Sequence, residues 1–456
     1  MYARYIEAVI LALRGHVRST VDGRPAHIVD ECVSTLAAIA NALDARDAPA
    51  DDPVARWLRA GPPENPGLHR DLAGPHGDLV QRIADGAAID EPAVRTALTR
   101  EQIQGRTAMD RIFGLMAHPA AAASGGKAGI DPAALERFLR DSTGSASLTV
   151  SDFRQVLGGR SRQTVIFTVS GTDALPAELV VQRQTPGMEN LFAGTAVEVD
   201  VLRTLRGAGM SVPKVFFAST DPAVLGASFM IMERASGVPA QRDFWDMPAG
   251  TEHVVDIARQ LAILHRHAPG KLAAILPRPR QTAQAAGWLE EVDRLSSRLL
   301  AEAHGPSVTV AVALACLRQL AHGIGDTETI VHNDFMFHNV LIADGRITAV
   351  LDWEQVALGH PGEDLGYIYP VIEAMGCWDQ FLDTYVAAGG IPVSQREVDF
   401  FALRAILRLM VMVFEGRAAF ESGGTDEIIV AGAGAGFLQR LHQRLADVLA
   451  EVIGRC

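Results

Sequence analysis

Cysteine is scarce: the 456-residue chain has four, Cys32, Cys316, Cys377 and Cys456, and no two fall at a CxxC spacing. That scatter suggests neither a zinc site nor a disulfide framework, and reduced, mostly buried thiols are expected. Long apolar runs are lacking too. The candidate Phe401 to Phe414 is interrupted by Arg404 and Arg408, so it falls short of the roughly 20 apolar residues that cross a bilayer. The N-terminal run Ala8 to Leu13 is brief, follows Glu7 and lacks a small-residue cleavage pattern, so no signal peptide is expected and the cytoplasm is the expected compartment. Positive charge is the third shortage, with 41 Lys and Arg against 54 Asp and Glu and a formal net charge of -13. Basic clusters are few, which argues against nucleic acid and anionic membranes as partners, because both demand a basic footprint.

Hydrophobic residues make up 48% of the chain, ample for the two or three cores that its length implies. Tyr5, Ile6, Val9, Ile10 and Leu13 recur at helical steps between Met1 and Val21, and Pro25 to Leu43 continues in the same manner. Asp44 to Gly67, rich in Asp, Pro, Ala and Gly, reads as a connection. Leu68 to Ala84 and Glu91 to Met116 complete an all-helical unit over residues 1–117, and HPAAAASGGKAG within 118–130 has linker composition.

Beyond the linker the pattern changes. A short helix around Pro132 to Arg140 precedes alternating segments at Val150 to Leu157, Thr164 to Val169 and Glu178 to Arg183, which predict three strands. A helix over Ala196 to Leu205 follows, then strands at Lys214 to Ala218 and Phe229 to Glu233. That order is a small antiparallel sheet carrying one helix. From Thr251 the chain reads as helical except for one hairpin, Val340 to Ile342 with Ile347 to Leu351, turned by Asp344-Gly345. No internal repeat is present.

The chemistry concentrates in Ile330 to Gly366, IVHNDFMFHNVLIADGRITAVLDWEQVALGHPGEDLG. Phosphoryl transfer needs a carboxylate beside the attacking hydroxyl and a few hard oxygens for Mg2+. Asp334 suits the first role, while Asn339, five positions on, and Asp352, at the end of the hairpin, suit the second. Upstream, Gly158 and Gly159 between the first two strands would let backbone N–H groups approach phosphates, and the Ser161 hydroxyl could donate to one.

His332-Asn333-Asp334 to Asn339 and Leu351-Asp352-Trp353-Glu354 resemble the catalytic and metal loops of the aminoglycoside phosphotransferase and choline kinase-like family, with Asn333 where that family usually has Gly. The resemblance covers about Asp131 to the C-terminus and is nearest to the subgroup whose kinase-like domains are fused to some acyl-CoA dehydrogenases. It implies an α+β, protein-kinase-like two-lobed fold behind the all-α domain, with one lobe over 131–234 and a larger helical lobe over 235–456. It also implies Asp334 as catalytic base, Asn339 and Asp352 as Mg2+ ligands, and ATP or GTP as phosphoryl donor. Asp364 matches the carboxylate that braces the catalytic loop, and His332 would organise that loop.

In the same resemblance Gly159 and Ser161 belong to the phosphate loop, and the backbone around Glu233 to Ala235 is the hinge that meets the nucleotide base. Glu198 matches the helix carboxylate that pairs with a phosphate-binding cation on the third strand. Alignment on Pro186-Gly187 puts Gln182 at that cation's position and Arg183 one residue on. Strand alternation turns Arg183 to the other face unless a bulge shifts it; with that bulge, Arg183 is the expected cation. His265, on an apolar helical face, reads as a satisfied core residue.

The function expected is transfer of a γ-phosphoryl group to a small-molecule hydroxyl. An aminoglycoside-like compound or other amino alcohol is one acceptor class, and the acidic segment from Asp352 to Phe400 favours it. A hydroxyacyl-CoA is the other. Gln182 in place of a cation motivates an alternative, a degenerate kinase that binds nucleotide or a partner without transfer, and the N-terminal helices would serve a homodimer or partner docking.

Overall fold

The computed structural model describes residues 130–156, 162–184, 193–241, 247–248, 250–278, 285–300, 307–421 and 428–455, with eight helical positions between 79 and 98. Most of the expected helical unit at 1–117, nearly all of the linker, and the loop with Gly159 and Ser161 lie outside the described residues.

Helix α1, Pro132–Thr143, starts where the Asp131 carboxylate accepts the N–H groups of Ala133 and Ala134 at 3.0 and 3.2 Å, with Pro132 in the first turn. It stops at Gly144, whose φ of 71° is left-handed. Three strands follow: β1, Thr149–Val156; β2, Arg162–Ser170; and β3, Glu178–Gln184. Helix α2, Thr195–Gly207, leads to β4, Val215–Ser219, the single turn α3, Pro222–Leu225, and β5, Phe229–Glu233. The strands form one antiparallel sheet in the order β1-β2-β3-β5-β4.

Alternation assigns the two faces of this sheet. Val165, Phe167 and Val169 of β2, Leu179 and Val181 of β3, and Phe229 and Ile231 of β5 pack with Leu135 and Leu139 of α1 into one core. Phe138 of α1 meets Phe229 edge-on, with centroids 5.0 Å apart. Burying each such large apolar side chain contributes roughly 1.5–3 kcal/mol, so the α1 face holds the sheet. Residues of the other parity, Arg162, Thr164 and Ile166 on β2 with Val180, Gln182 and Gln184 on β3, are half-buried on the opposite face.

The chain continues through β6, Val238–Pro239; α4, Val254–Arg266; α5, Ala285–Leu299; α6, Val308–Ala321; β7, Thr329–Val331; β8, Val340–Ala343; β9, Arg346–Val350; and β10, Ala357–Gly359. Four helices close it: α7, Gly362–Ala374; α8, Trp378–Ala387; α9, Gln395–Glu421; and α10, Ile428–Arg455. The β8–β9 turn takes φ of 49° at Asp344 and 72° at Gly345, which an Asp-Gly pair accepts readily. The expectation of a single hairpin after Thr251 needs correction. β7 pairs with β10, and β6 joins β8. Strands of two or three residues are too short for alternation to reveal.

Two compact units emerge: residues 124–287 with 323–402, and residues 288–322 with 403–456 and 1–123. The first contains both the five-stranded sheet and the β8–β9 hairpin. In the second, the Arg404 guanidinium bonds Glu291 at 2.7 Å and lies 5.5 Å from the Trp288 ring centroid. No helix among the described residues is long and apolar enough to cross a membrane.

Candidate active site

Asp364, in the first turn of α7, is fully buried and accepts the N–H groups of His332 at 2.8 Å and Asn333 at 2.7 Å. His265 of α4 adds an Nε2 contact at 3.1 Å to the same carboxylate, and its Nδ1 meets the Tyr385 hydroxyl at 2.7 Å. Burial alone would raise the Asp364 pKa. The hydrogen bond and charge of His265, followed by His332, outweigh burial and hold the carboxyl below the usual range. The loop turns at Asn333, where φ is 64°, a conformation that Gly adopts freely and Asn tolerates better than most residues. Its side-chain amide donates to the Gln355 carbonyl at 3.1 Å, which anchors the turn.

His332 is buried with both ring nitrogens engaged. Nε2 faces the Leu351 carbonyl at 2.9 Å, and Nδ1 accepts the Asp334 N–H at 3.2 Å. An accepting Nδ1 and a donating Nε2 describe the neutral imidazole. Burial pushes its pKa down against the opposing pull of Asp364 and Asp334, in agreement with that tautomer.

These contacts present the half-buried Asp334 with both carboxylate oxygens occupied. Tyr367 donates its hydroxyl to Oδ1 at 2.6 Å, and the Asn339 amide donates to Oδ2 at 3.1 Å and to the Asp334 carbonyl at 3.0 Å. Asp352 follows β9 at a left-handed φ of 64°, while Leu351 N–H reaches the Asn339 carbonyl at 2.8 Å and ties the hairpin end to the catalytic loop. The Asp352 side chain is exposed. Partial desolvation by the surrounding protein pushes its pKa well up, with Glu354, Asp334 and Glu198 adding repulsion and Arg162 opposing it. Carboxylates crowded in this way suit a hard cation. Among the described residues, no three His, Cys, Asp or Glu side chains form a metal cage by themselves.

The nucleotide side differs from expectation at one residue. β3 pairs with β2 and β5 without a bulge, so Arg183 stays on the α1 face. There its guanidinium donates to the Leu225 carbonyl at 2.7 Å and to the Gln163 amide oxygen at 2.6 Å, away from Glu198. Arg183 as the partner of Glu198 is thus corrected by strand parity. Glu198, buried on α2, is ion-paired to Arg162 of β2, which also lies 3.6 Å from Glu354 through Nε. Burial raises the Glu198 pKa, and Arg162 counters it.

At the end of β5, the Glu233 carboxylate accepts Arg206 Nη1 and the Lys214 N–H, each at 2.8 Å. Ala235 follows, half-buried, in a connection held close to β8: Gly237 has φ of 114°, and a Cβ there would lie 2.4 Å from the Ile342 carbonyl oxygen. The acidic segment is largely engaged internally. Glu363 accepts the His360 N–H at 3.0 Å, Glu397 pairs with His360 Nε2 at 3.2 Å, and Asp399 accepts from Gln395 at 2.8 Å. Of the nine carboxylates between 352 and 400, Glu373, Asp379 and Asp383 are exposed without these ties, as is Asp352.

Tyr367 and Arg162 are the residues that sequence reasoning missed. Tyr367 lies three positions after Asp364 on one helix, the spacing that puts both on the same side. Arg162 shares its strand parity with the half-buried face of Gln182.

Residues 152–401 match the model of the phosphotransferase enzyme family. Viomycin phosphotransferase of Streptomyces vinaceus is 32% identical over 239 residues, which cover 50% of this chain and 78% of that protein. Acyl-CoA dehydrogenase family member 11 of Pongo abelii is 26% identical over 236 residues, or 49% of this chain and 28% of that protein. The chain spans less than a third of each acyl-CoA dehydrogenase relative it matches. Among solved structures, a candidate aminoglycoside phosphotransferase of Ralstonia eutropha JMP134 superposes with a TM-score of 0.53 at 20% identity, covering 71% of this chain and 99% of that one.

Proposed function

The chain belongs to the phosphotransferase enzyme family, and we propose that it transfers the γ-phosphoryl group of ATP to a hydroxyl of a small molecule. The new bond joins the acceptor oxygen to the γ-phosphorus, the bond to the β,γ-bridging oxygen breaks, and the acceptor proton passes to Asp334. The observation that carries this reading is the fixing of Asp334: Tyr367 and Asn339 hold its two oxygens, and Asp364 holds the backbone on which it sits. Such prepositioning is what phosphoryl transfer requires of a protein, because the reaction is governed by alignment and charge.

Asn339 and Asp352 would hold Mg2+, which supplies positive charge to the phosphates. The carboxylates of Glu354, Asp334 and Glu198, which repel Asp352, support that assignment, since crowded carboxylates gain from a divalent cation. Gly159 and Ser161 would contact the phosphates, and the backbone from Glu233 to Ala235 would receive the base. GTP is the competing donor.

Two acceptor classes remain in play, an amino sugar or amino alcohol and a hydroxyacyl-CoA. The hygromycin-B 4-O-kinase relative favours the first and the acyl-CoA dehydrogenase relatives the second. The acidic wall supports a cationic acceptor less than its sequence suggests, because most of its carboxylates have internal partners. Thermal shifts with Mg·AMP-PNP and a panel of viomycin, hygromycin B, choline and hydroxyacyl-CoAs distinguish the classes, because the true acceptor stabilises the folded state by mass action. Transfer that survives Asp334→Asn undiminished removes the base assignment.

Gln182 and the turned-away Arg183 favour a second reading, a nucleotide-binding pseudokinase with a partner-binding role. Mg·ATP binding with no transfer to any hydroxyl would select it.

A further inference from the structure

The strand registers put a guanidinium on the nucleotide face although β3 offers none there. Thr164 pairs with Gln182 and Arg162 with Gln184, so Arg162 and Gln182 are diagonal neighbours on the same face of adjacent strands. Such neighbours lie roughly 7–8 Å apart, within the span of an arginine side chain. The geometry points to Arg162 as the residue that grips the α- and β-phosphates of the nucleotide, with the cation moved from the third strand to the second. This inference rests on the nucleotide-dependent reading above and names a residue of that same site.

Two contacts and its position in the strand place Arg162. It is ion-paired to Glu198, the α2 carboxylate that a third-strand cation would otherwise meet. It reaches Glu354, two residues beyond Asp352, at 3.6 Å, so it looks toward the carboxylates on which a metal-bound nucleotide would sit. It is also the first residue of β2. The guanidinium has five N–H donors, so pairing with two carboxylates leaves donors for phosphate oxygens. Arg183 cannot share this role, because it faces α1 and is bonded to Leu225 and Gln163. Placing Gln rather than a second cation at position 182 keeps one positive charge against Glu198, as in an arrangement with the cation on β3.

A plainer role for Arg162 is to neutralise Glu198, and the test separates the two. Binding of Mg·AMP-PNP, ADP and adenosine is measured by calorimetry on the full chain and its variants. Arg162→Met should weaken both phosphorylated ligands by about 10- to 100-fold and leave adenosine unchanged, the effect of losing a charge-assisted contact. Arg162→Met with Glu198→Gln, which leaves no unpaired carboxylate at position 198 and so protects folding, should remain weak. Arg162→Met with Gln182→Lys should regain phosphate-dependent affinity. A folded Arg162→Met with wild-type affinity overturns the assignment, as does full recovery through Glu198→Gln. Wild-type protein that binds neither Mg·AMP-PNP nor ADP overturns the phosphoryl-transfer reading together with it.

Discussion

The loop at His332 to Asp334 and the strands β2 and β3 place charged groups by different means. Between His332 and Asp364, His332, Asp334, Asn339, Asp352 and Asp364 meet through a loop, a hairpin and one helix N-terminus, so spacing along the chain nearly fixes which groups assemble. Between β2 and α2, the partner of Glu198 depends on which face of a strand a residue occupies. One step from 182 to 183 crosses the sheet, and the cation arrives instead from Arg162 on the neighbouring strand. Loop motifs tolerate reading in one dimension. Strand positions require the register.

Substitutions can break this contrast, and the largest effect is expected in the loop. Asp334→Asn should lower the transfer rate by about 10²- to 10⁴-fold, the usual contribution of a general base, while Mg·AMP-PNP affinity stays close to wild type. A variant retaining a tenth of the rate would leave the loop without its base. Asp364→Ala strips a buried carboxylate from two backbone N–H groups and His265, and should destabilise the fold by about 3–5 kcal/mol in urea titrations. Because the folded-state pKa of Asp364 is depressed, its stabilisation is complete above the unfolded value and is lost as pH falls through the folded one. The gap between wild type and Asp364→Ala should hold near neutrality and shrink below about pH 4.

Smaller effects sharpen the comparison. Tyr367→Phe removes a hydrogen bond to an ionised group and should slow transfer about tenfold with nucleotide KM unchanged. If KM rises instead, Tyr367 serves the nucleotide rather than Asp334. At the left-handed turn, Asn333→Ala should lose about 1–2 kcal/mol more stability than Asn333→Gly by thermal melting, since only glycine enters that region without a Cβ penalty. Last, Arg183→Met should leave nucleotide affinity within about twofold of wild type, its lost hydrogen bonds appearing in stability alone. A large loss of affinity would return the phosphate-binding role to β3.

Much of the described fold was legible because its signals are local. The helix beginning at Pro132, the alternation in β2 and β3, and the Asp344-Gly345 turn each act within a few residues, and β5 spans Phe229–Glu233 as expected. The catalytic loop was legible for the same reason, and Asn333 preserves the left-handed turn without glycine. β6, β7 and β10 were not, because two- or three-residue strands exist only through their distant partners. The acidic segment misled in a related way: counting charges does not show that Glu363, Glu397 and Asp399 have partners nearby.

The sequence by itself determined the chemical inventory: two loops with Asp334, Asn339 and Asp352 in a spacing that phosphoryl transfer uses. Tertiary structure alone decided that Arg162 rather than Arg183 meets Glu198, and that Tyr367 holds Asp334. The reason is geometric. Successive side chains of an unbulged strand point to opposite faces, so a one-residue shift reverses a side chain's surroundings, and a hydroxyl 33 positions from its carboxylate becomes a partner only when helix and loop pack together.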